Sequence, residues 1–154
     1  MKPSGIVIIG YGNEIRGDDG AGLRVAEDVE SLALPGVRVI ACHQLTPDLA
    51  EVIAEAGAVF FADAKPATDD EAAVEITDVG PEAKSGFSLH SGNPAGLLAL
   101  AQALYGRCPL AWCVAIPAVN FDLGQTLTET AKRGVIEAVA AIRERAALLA
   151  RSDC

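Results

Sequence analysis

Three side chains set far apart in the chain, Asp19, Asp63 and His90, are of the types that hold a borderline divalent metal or move a proton. Asp19 follows a short apolar run and Asp63 closes another. His90 stands three residues ahead of Asn93-Pro94 in a stretch flanked by Ser88, Ser91 and Gly92. Two carboxylates and one imidazole make an oxygen and nitrogen donor set that would take Zn²⁺, Ni²⁺ or Fe²⁺ at about 2.0–2.2 Å and leave coordination positions open. The chain has 2 histidines, so an imidazole comes from His90 or His43. His43 lies beside Cys42 and reads as a structural or surface residue. Each acid also has a plain alternative: Asp18 as a helix cap or loop-ordering acid, Asp19 as a first-turn acid facing the helix dipole, Asp63 as a strand-end polar residue.

Other chemistries fit less well. Gly10-Tyr11-Gly12 after an apolar run suggests a dinucleotide loop, but the third glycine of that fingerprint is replaced by Ile15. Asp18 and Asp19 would in addition repel a phosphate from the helix start that should receive it. Cys42 and His43 cannot form a nucleophile pair, because adjacent strand side chains point to opposite faces. Ser88 and Ser91 lie near His90 without a G-x-S-x-G elbow. Cys42, Cys108, Cys113 and Cys154 contain no C-x-x-C pair, which speaks against a disulfide frame or a thiolate zinc site and for a reducing compartment.

The elements that must position these residues follow from periodicity. Gly5-Ile6-Val7-Ile8-Ile9-Gly10 is continuously apolar, as expected of a strand covered on both faces. Asp18 or Asp19 is expected to cap a helix with Leu23, Ala26, Val29 and Leu32 on its inner face, ended by Pro35-Gly36. A second strand is expected over 37–41. The next helix should open at Thr46-Pro47-Asp48 and bury Leu49, Val52, Ile53 and Ala56. A third strand spans 58–63 and ends on Asp63, and residues 73–77 alternate like a half-exposed edge strand. Asn93-Pro94 starts a helix with Leu97, Leu98, Ala101 and Leu104 inward and Gly106 as its stop. A strand over 109–116 leads to a capping box, Thr126-x-x-Glu129, and a long helix burying Ala131, Val135, Ala138, Val139, Ile142, Ala146 and Leu149. Alternating strands and helices predict an α/β fold, a three-layer α/β/α sandwich around a twisted, mainly parallel five-stranded sheet. In such a sheet the site forms where the carboxyl ends of the strands meet, and Asp19 and Asp63 should emerge on the same rim.

Composition narrows the function further. With 154 residues a single domain over residues 1–150 and a frayed tail over 151–154 are expected. A net charge of −9 is the wrong sign for holding a phosphate backbone, so nucleic acid is not an expected partner. Aromatic residues make up 5% of the chain, so the core must be built from Ala, Val, Ile and Leu. No apolar run approaches a membrane span, and Met1-Lys2-Pro3-Ser4 does not resemble a leader, so an unprocessed, soluble cytoplasmic protein is expected.

Taken whole, the sequence resembles the hydrogenase maturation proteases, endopeptidases that trim the C-terminal extension from the large subunit of [NiFe] hydrogenases. The likeness runs through Ile9-Gly10-Tyr11-Gly12-Asn13-Glu14-Ile15-Arg16-Gly17-Asp18-Asp19-Gly20-Ala21-Gly22, His43-Gln44-Leu45-Thr46-Pro47-Asp48-Leu49-Ala50, Phe61-Ala62-Asp63-Ala64 and His90-x-x-x-Pro94-x-x-Leu97-Leu98. It implies that Asp19, Asp63 and His90 form the metal-recognising triad, with nickel supplied by the substrate and zinc or cadmium able to occupy the site in vitro. It implies as partner the hydrogenase large-subunit precursor, cleaved after nickel insertion; a small protease that must admit so large a precursor is expected to work as a monomer. Asp19 and Asp63 would be catalytic, either as an aspartic-type pair or with a metal-activated water. A rival expectation is a non-catalytic, nickel-dependent docking or chaperone module for the same precursor.

Overall fold

A computed structural model describes residues 5–69, 71–82 and 93–152. It contains β1 (Ile6–Tyr11), a 3-10 turn (Gly17–Gly20), α1 (Ala21–Ser31), β2 (Val37–Cys42), α2 (Leu49–Glu55), β3 (Ala58–Pro66), β4 (Glu75–Asp78), α3 (Pro94–Tyr105), β5 (Leu110–Ala118) and α4 (Glu129–Ser152). The strands form one sheet in the order β2-β1-β3-β5-β4, parallel except for β4, which pairs antiparallel with β5. The mainly parallel five-stranded sheet between helix layers is the architecture that the sequence predicts.

The apolar run of β1 is continuous because both of its faces are covered. Ile6 and Ile8 pack with Phe60, Ala62, Val114 and Ile116 under α1 and α4. Val7 and Ile9 pack with Val59, Phe61 and Ala111 under α2 and α3. β1 has β2 on one side and β3 on the other. The chain therefore reverses its direction of travel across the sheet between β1 and β3, the place where sheets of this kind form a crevice at the strands' carboxyl ends. β1 stops at Tyr11 while β3 continues to Pro66, paired to β5 as far as Ala118.

Local signals explain several boundaries. Asn93 caps α3 by accepting a hydrogen bond from the Gly96 N–H at 2.7 Å, Pro94 occupies the first helical position, and Gly106 ends the helix at φ 72°. Other expectations require correction. Neither Asp18 nor Asp19 caps α1; both lie within the 3-10 turn that precedes it. Residues 47 and 48 form a turn with i→i+3 bonds from Leu49 to Thr46 and from Ala50 to Pro47, so α2 begins at Leu49. Asp63 lies within β3, because β5 extends the ladder beyond it. The cap of α4 is Thr128, whose hydroxyl accepts from the Ala131 N–H at 3.2 Å, and not Thr126. Leu32 and Leu104 are exposed at the ends of their helices. Arg151 and Ser152 continue α4 where a frayed tail is expected.

The glycines of the first loop serve packing. Gly22, on the first turn of α1, faces the carbonyl oxygens of Tyr11 and Ala62, and a Cβ there would overlap both. The helix start is pressed against β1 and β3 with main chain on main chain. Gly22→Ala is expected to lower the free energy of unfolding by about 1–3 kcal/mol, as overpacking does, measured by urea denaturation.

Candidate functional site

The segment after β1 is anchored by Asp18, which is fully buried. Its carboxylate accepts four hydrogen bonds from the far end of the chain: Val119 N–H at 2.9 Å, Asn120 N–H at 3.2 Å, Thr128 N–H at 2.8 Å and the Thr128 hydroxyl at 2.7 Å. Main-chain bonds reinforce this clamp, from Asp18 N–H to the Asn120 carbonyl, from Gly17 N–H to Gly124 and from Gly124 N–H to Ile15. Burial alone would push the Asp18 carboxyl up, but the Thr128 and Val119 N–H groups, the Thr128 hydroxyl and the Asn120 N–H together hold it below the usual range. Asp18 is therefore the loop-ordering acid of the two plain readings, and the cap reading is excluded.

Asp19, the next residue, accepts a hydrogen bond from the Asn13 N–H at 3.0 Å. It is part-exposed and lies in the 3-10 turn beyond the carboxyl end of β1, beside the switch point between β1 and β3. Asp63 projects from β3 on the α2/α3 side, on the face shared by Phe61 and Cys113. Its carboxyl is raised to about 6, chiefly by burial and further by the charge of Asp19, against the opposing hydrogen bonds from the Ala64 N–H and the Tyr11 side chain. The structure thus brings Asp19 and Asp63 within electrostatic reach of one another at the rim that the sequence indicates.

Tyr11 is the site residue that sequence reasoning misses. Gly10 pairs with Ala62, so Tyr11 and Asp63 are the next neighbours on one face of adjacent strands, and the Tyr11 hydroxyl hydrogen-bonds to Asp63. Burial, then the charge of Asp63, pushes the Tyr11 hydroxyl far up, so it remains a donor at any ordinary pH. Strand parity at the end of β1 is the signal that could have revealed it. Burial and the Asp63 charge also raise the Cys113 thiol, and burial with the Asp48 charge raises Cys42, so neither is an activated nucleophile.

His90 lies outside the described residues, so its expected place beside the two acids is not described. Among the described residues no three candidate ligands come together as a metal cluster. Asp19 and Asp63 supply two oxygen donors, which suit a borderline divalent ion joined by an imidazole. His43 is exposed just beyond β2 and borders a cleft of about 690 Å³ with Gly12, Asn13, Arg24 and Glu27.

No family model and no curated protein matches the chain. Solved structures do match. A [NiFe] hydrogenase maturation protease, HycI from Thermococcus kodakarensis KOD1, is 24% identical with a TM-score of 0.71, covering 92% of this chain and 91% of that one. The hydrogenase 2 maturation peptidase from Thaumarchaeota archaeon SCGC_AB-539-E09 is 23% identical, TM-score 0.69, covering 94% and 99%. The hydrogenase maturating endopeptidase HybD from E. coli is 20% identical, TM-score 0.67, covering 92% and 93%. The chain has the fold of the hydrogenase maturation endopeptidases. Within that fold no helix of the described residues is long and apolar enough to cross a membrane.

Asp18, which is buried, and Asp63, which is half-buried, have opposite pH signatures. Asp18 has a depressed carboxyl, so its contribution to stability is complete above the ordinary aspartate range and is lost as pH falls through its folded value. Asp18→Asn, which turns a donor toward the main-chain N–H groups, is expected to lose about 2–4 kcal/mol at neutral pH, with the gap to wild type narrowing in acid. Asp63 has a raised carboxyl, so the native state is favoured at low pH and penalised as pH rises through about 6. Asp63→Asn is expected to be more stable than wild type at pH 8 and equal to it below about pH 4. Thermal unfolding across pH measures both.

Proposed function

We propose that this protein is an endopeptidase that removes the C-terminal extension from the large-subunit precursor of a [NiFe] hydrogenase after nickel insertion. The reading is carried by one arrangement: two acids from distant parts of the chain, Asp19 and Asp63, brought within electrostatic reach of each other at the switch point of the sheet. The fold shared with proteins named as hydrogenase maturation endopeptidases supports it. Nickel enters as part of the substrate, still held by the precursor. Asp19, Asp63 and His90 are the proposed donors that meet it, so that a precursor without metal fails to seat. Cleavage then acts as a check on metal insertion.

For the chemical step, Asp63, whose carboxyl is raised, and the neighbouring Asp19 form an acid and base pair. Asp63 carries the proton over part of its population near pH 6 and donates it to the departing amine, while Asp19 accepts a proton from the attacking water. The Ala64 N–H and the Tyr11 side chain favour the charged form of the Asp63 carboxyl against its burial. The proposed setting is cytoplasmic.

The test is incubation with a nickel-loaded large-subunit precursor and with its nickel-free form, following the C-terminal fragment by intact mass. Loss of the extension from the loaded form alone is expected, and Asp63→Asn should reduce cleavage at least 1,000-fold, about 4 kcal/mol of transition-state stabilisation. Tight binding of the loaded form with no fragment released would instead identify a docking module, and full activity of Asp63→Asn would remove the site assignment.

A further inference from the structure

The two edges of the sheet are built differently. β4 is a short edge of four residues with Glu75 and Asp78 exposed, which protects it from pairing with another strand. β2, at the other edge, has six residues, Val37-Arg38-Val39-Ile40-Ala41-Cys42, with one charge and no proline. The Gly36 carbonyl accepts from the Ile6 N–H at 2.9 Å and the Cys42 carbonyl accepts from the Gly12 N–H at 3.3 Å. Even-numbered residues thus direct their main-chain groups to β1. By alternation, the N–H and carbonyl groups of Val39, Ala41 and, just past the strand, His43 are directed away from the sheet, whereas the Val37 N–H is taken up by the Leu34 carbonyl at 3.3 Å.

Hollows flank this edge on both faces. On the α1 side the cleft of about 690 Å³ reaches Ala41 and His43 at the carboxyl end of β2 and is walled by the Gly12–Ile15 segment and Arg24. On the α2 side a hollow of about 340 Å³ touches Val37 and Arg38 at the opposite end, with Val52 and Glu55 of α2. A strand added to β2 would send successive side chains to alternate faces, one set toward each hollow. The larger cleft shares Asn13 with the crevice, since the Asn13 N–H holds the Asp19 carboxylate.

We propose that the β2 edge is a substrate-docking strand, on which an extended stretch of the precursor polypeptide pairs by main-chain hydrogen bonds on its way to the crevice. This rests on the functional reading above. The occupant is a substrate segment and not a second copy of the chain, because the larger hollow lies at the end of β2 nearest Asp19 and shares a wall with it. Main-chain pairing supplies affinity, and the two hollows supply preference for alternate side chains.

The test is amide hydrogen exchange at single-residue resolution, on the full chain alone and mixed with the nickel-loaded large-subunit precursor. At least a 10-fold slowing at Val39, Ala41 and His43, with Arg38 and Ile40 unchanged, is expected. Cleavage of the precursor with no slowing at those amides would overturn the docking strand and leave the functional reading intact. Absence of both binding and cleavage would overturn both. Slowing that rises with protein concentration in the absence of precursor would assign the edge to a second copy and overturn the proposal. Ala41→Pro, which removes an outward N–H while sparing the bonds to β1, is expected to raise KM at least 10-fold with kcat within 2-fold of wild type. An unchanged KM in a variant with wild-type circular dichroism would likewise overturn it.

Discussion

The carboxylate of Asp18 is the constraint on which the site depends. It is buried, accepts four hydrogen bonds, and joins residues more than 100 positions apart in sequence. A charge placed there would be strongly unfavourable without those donors, so the turn after β1 and the segment from Val119 to Thr128 must fold onto one another or not at all. The Thr128 hydroxyl serves twice, donating to Asp18 and accepting from the Ala131 N–H, which ties the clamp to the start of α4. With Asp18 drawn toward α4, the following residue faces the other way, and Asp19 meets the Asn13 N–H beside the crevice.

Asp18 and Asp63 show how the number of donors decides the fate of a desolvated carboxyl. Burial is the largest influence on both and pushes both up. Asp18 has main-chain donors on both oxygens and a hydroxyl donor on one, and it ends below the usual range. Asp63 has the Ala64 N–H and the Tyr11 side chain, but it also faces the charge of Asp19, and it ends near 6. The first is a structural anion and the second a carboxyl able to exchange a proton near neutrality.

Much of the fold was legible because its signals are local. The two-sided burial of β1, the Asn93-Pro94 start and the Gly106 stop of α3 each depend on residues within a few positions of one another. The convergence of Asp19 and Asp63 was legible because the alternation of strands and helices dictates a parallel sheet with a common rim. What escaped was non-local. Thr128 displaces Thr126 as the α4 cap because Asp18, 110 residues away, engages its hydroxyl. Asp63 is internal to β3 because β5, far along the chain, prolongs the ladder. Tyr11 becomes a partner of Asp63 through the register between β1 and β3.

The same packing explains why a glycine-rich loop after the first strand does not make a nucleotide site here. A pyrophosphate needs open main-chain N–H groups at the helix start and room between helix and strands. Gly22 lets α1 close onto the carbonyl oxygens of Tyr11 and Ala62, which removes that room. The 3-10 turn ahead of the helix carries two acids, with the Asp18 N–H already bonded to Asn120 and the Asp19 N–H to Arg16. Close packing and negative charge act together at the position a phosphate would need. The crevice left beside it, bordered by Asp19 and the continued length of β3, favours a cation or a proton over an anion.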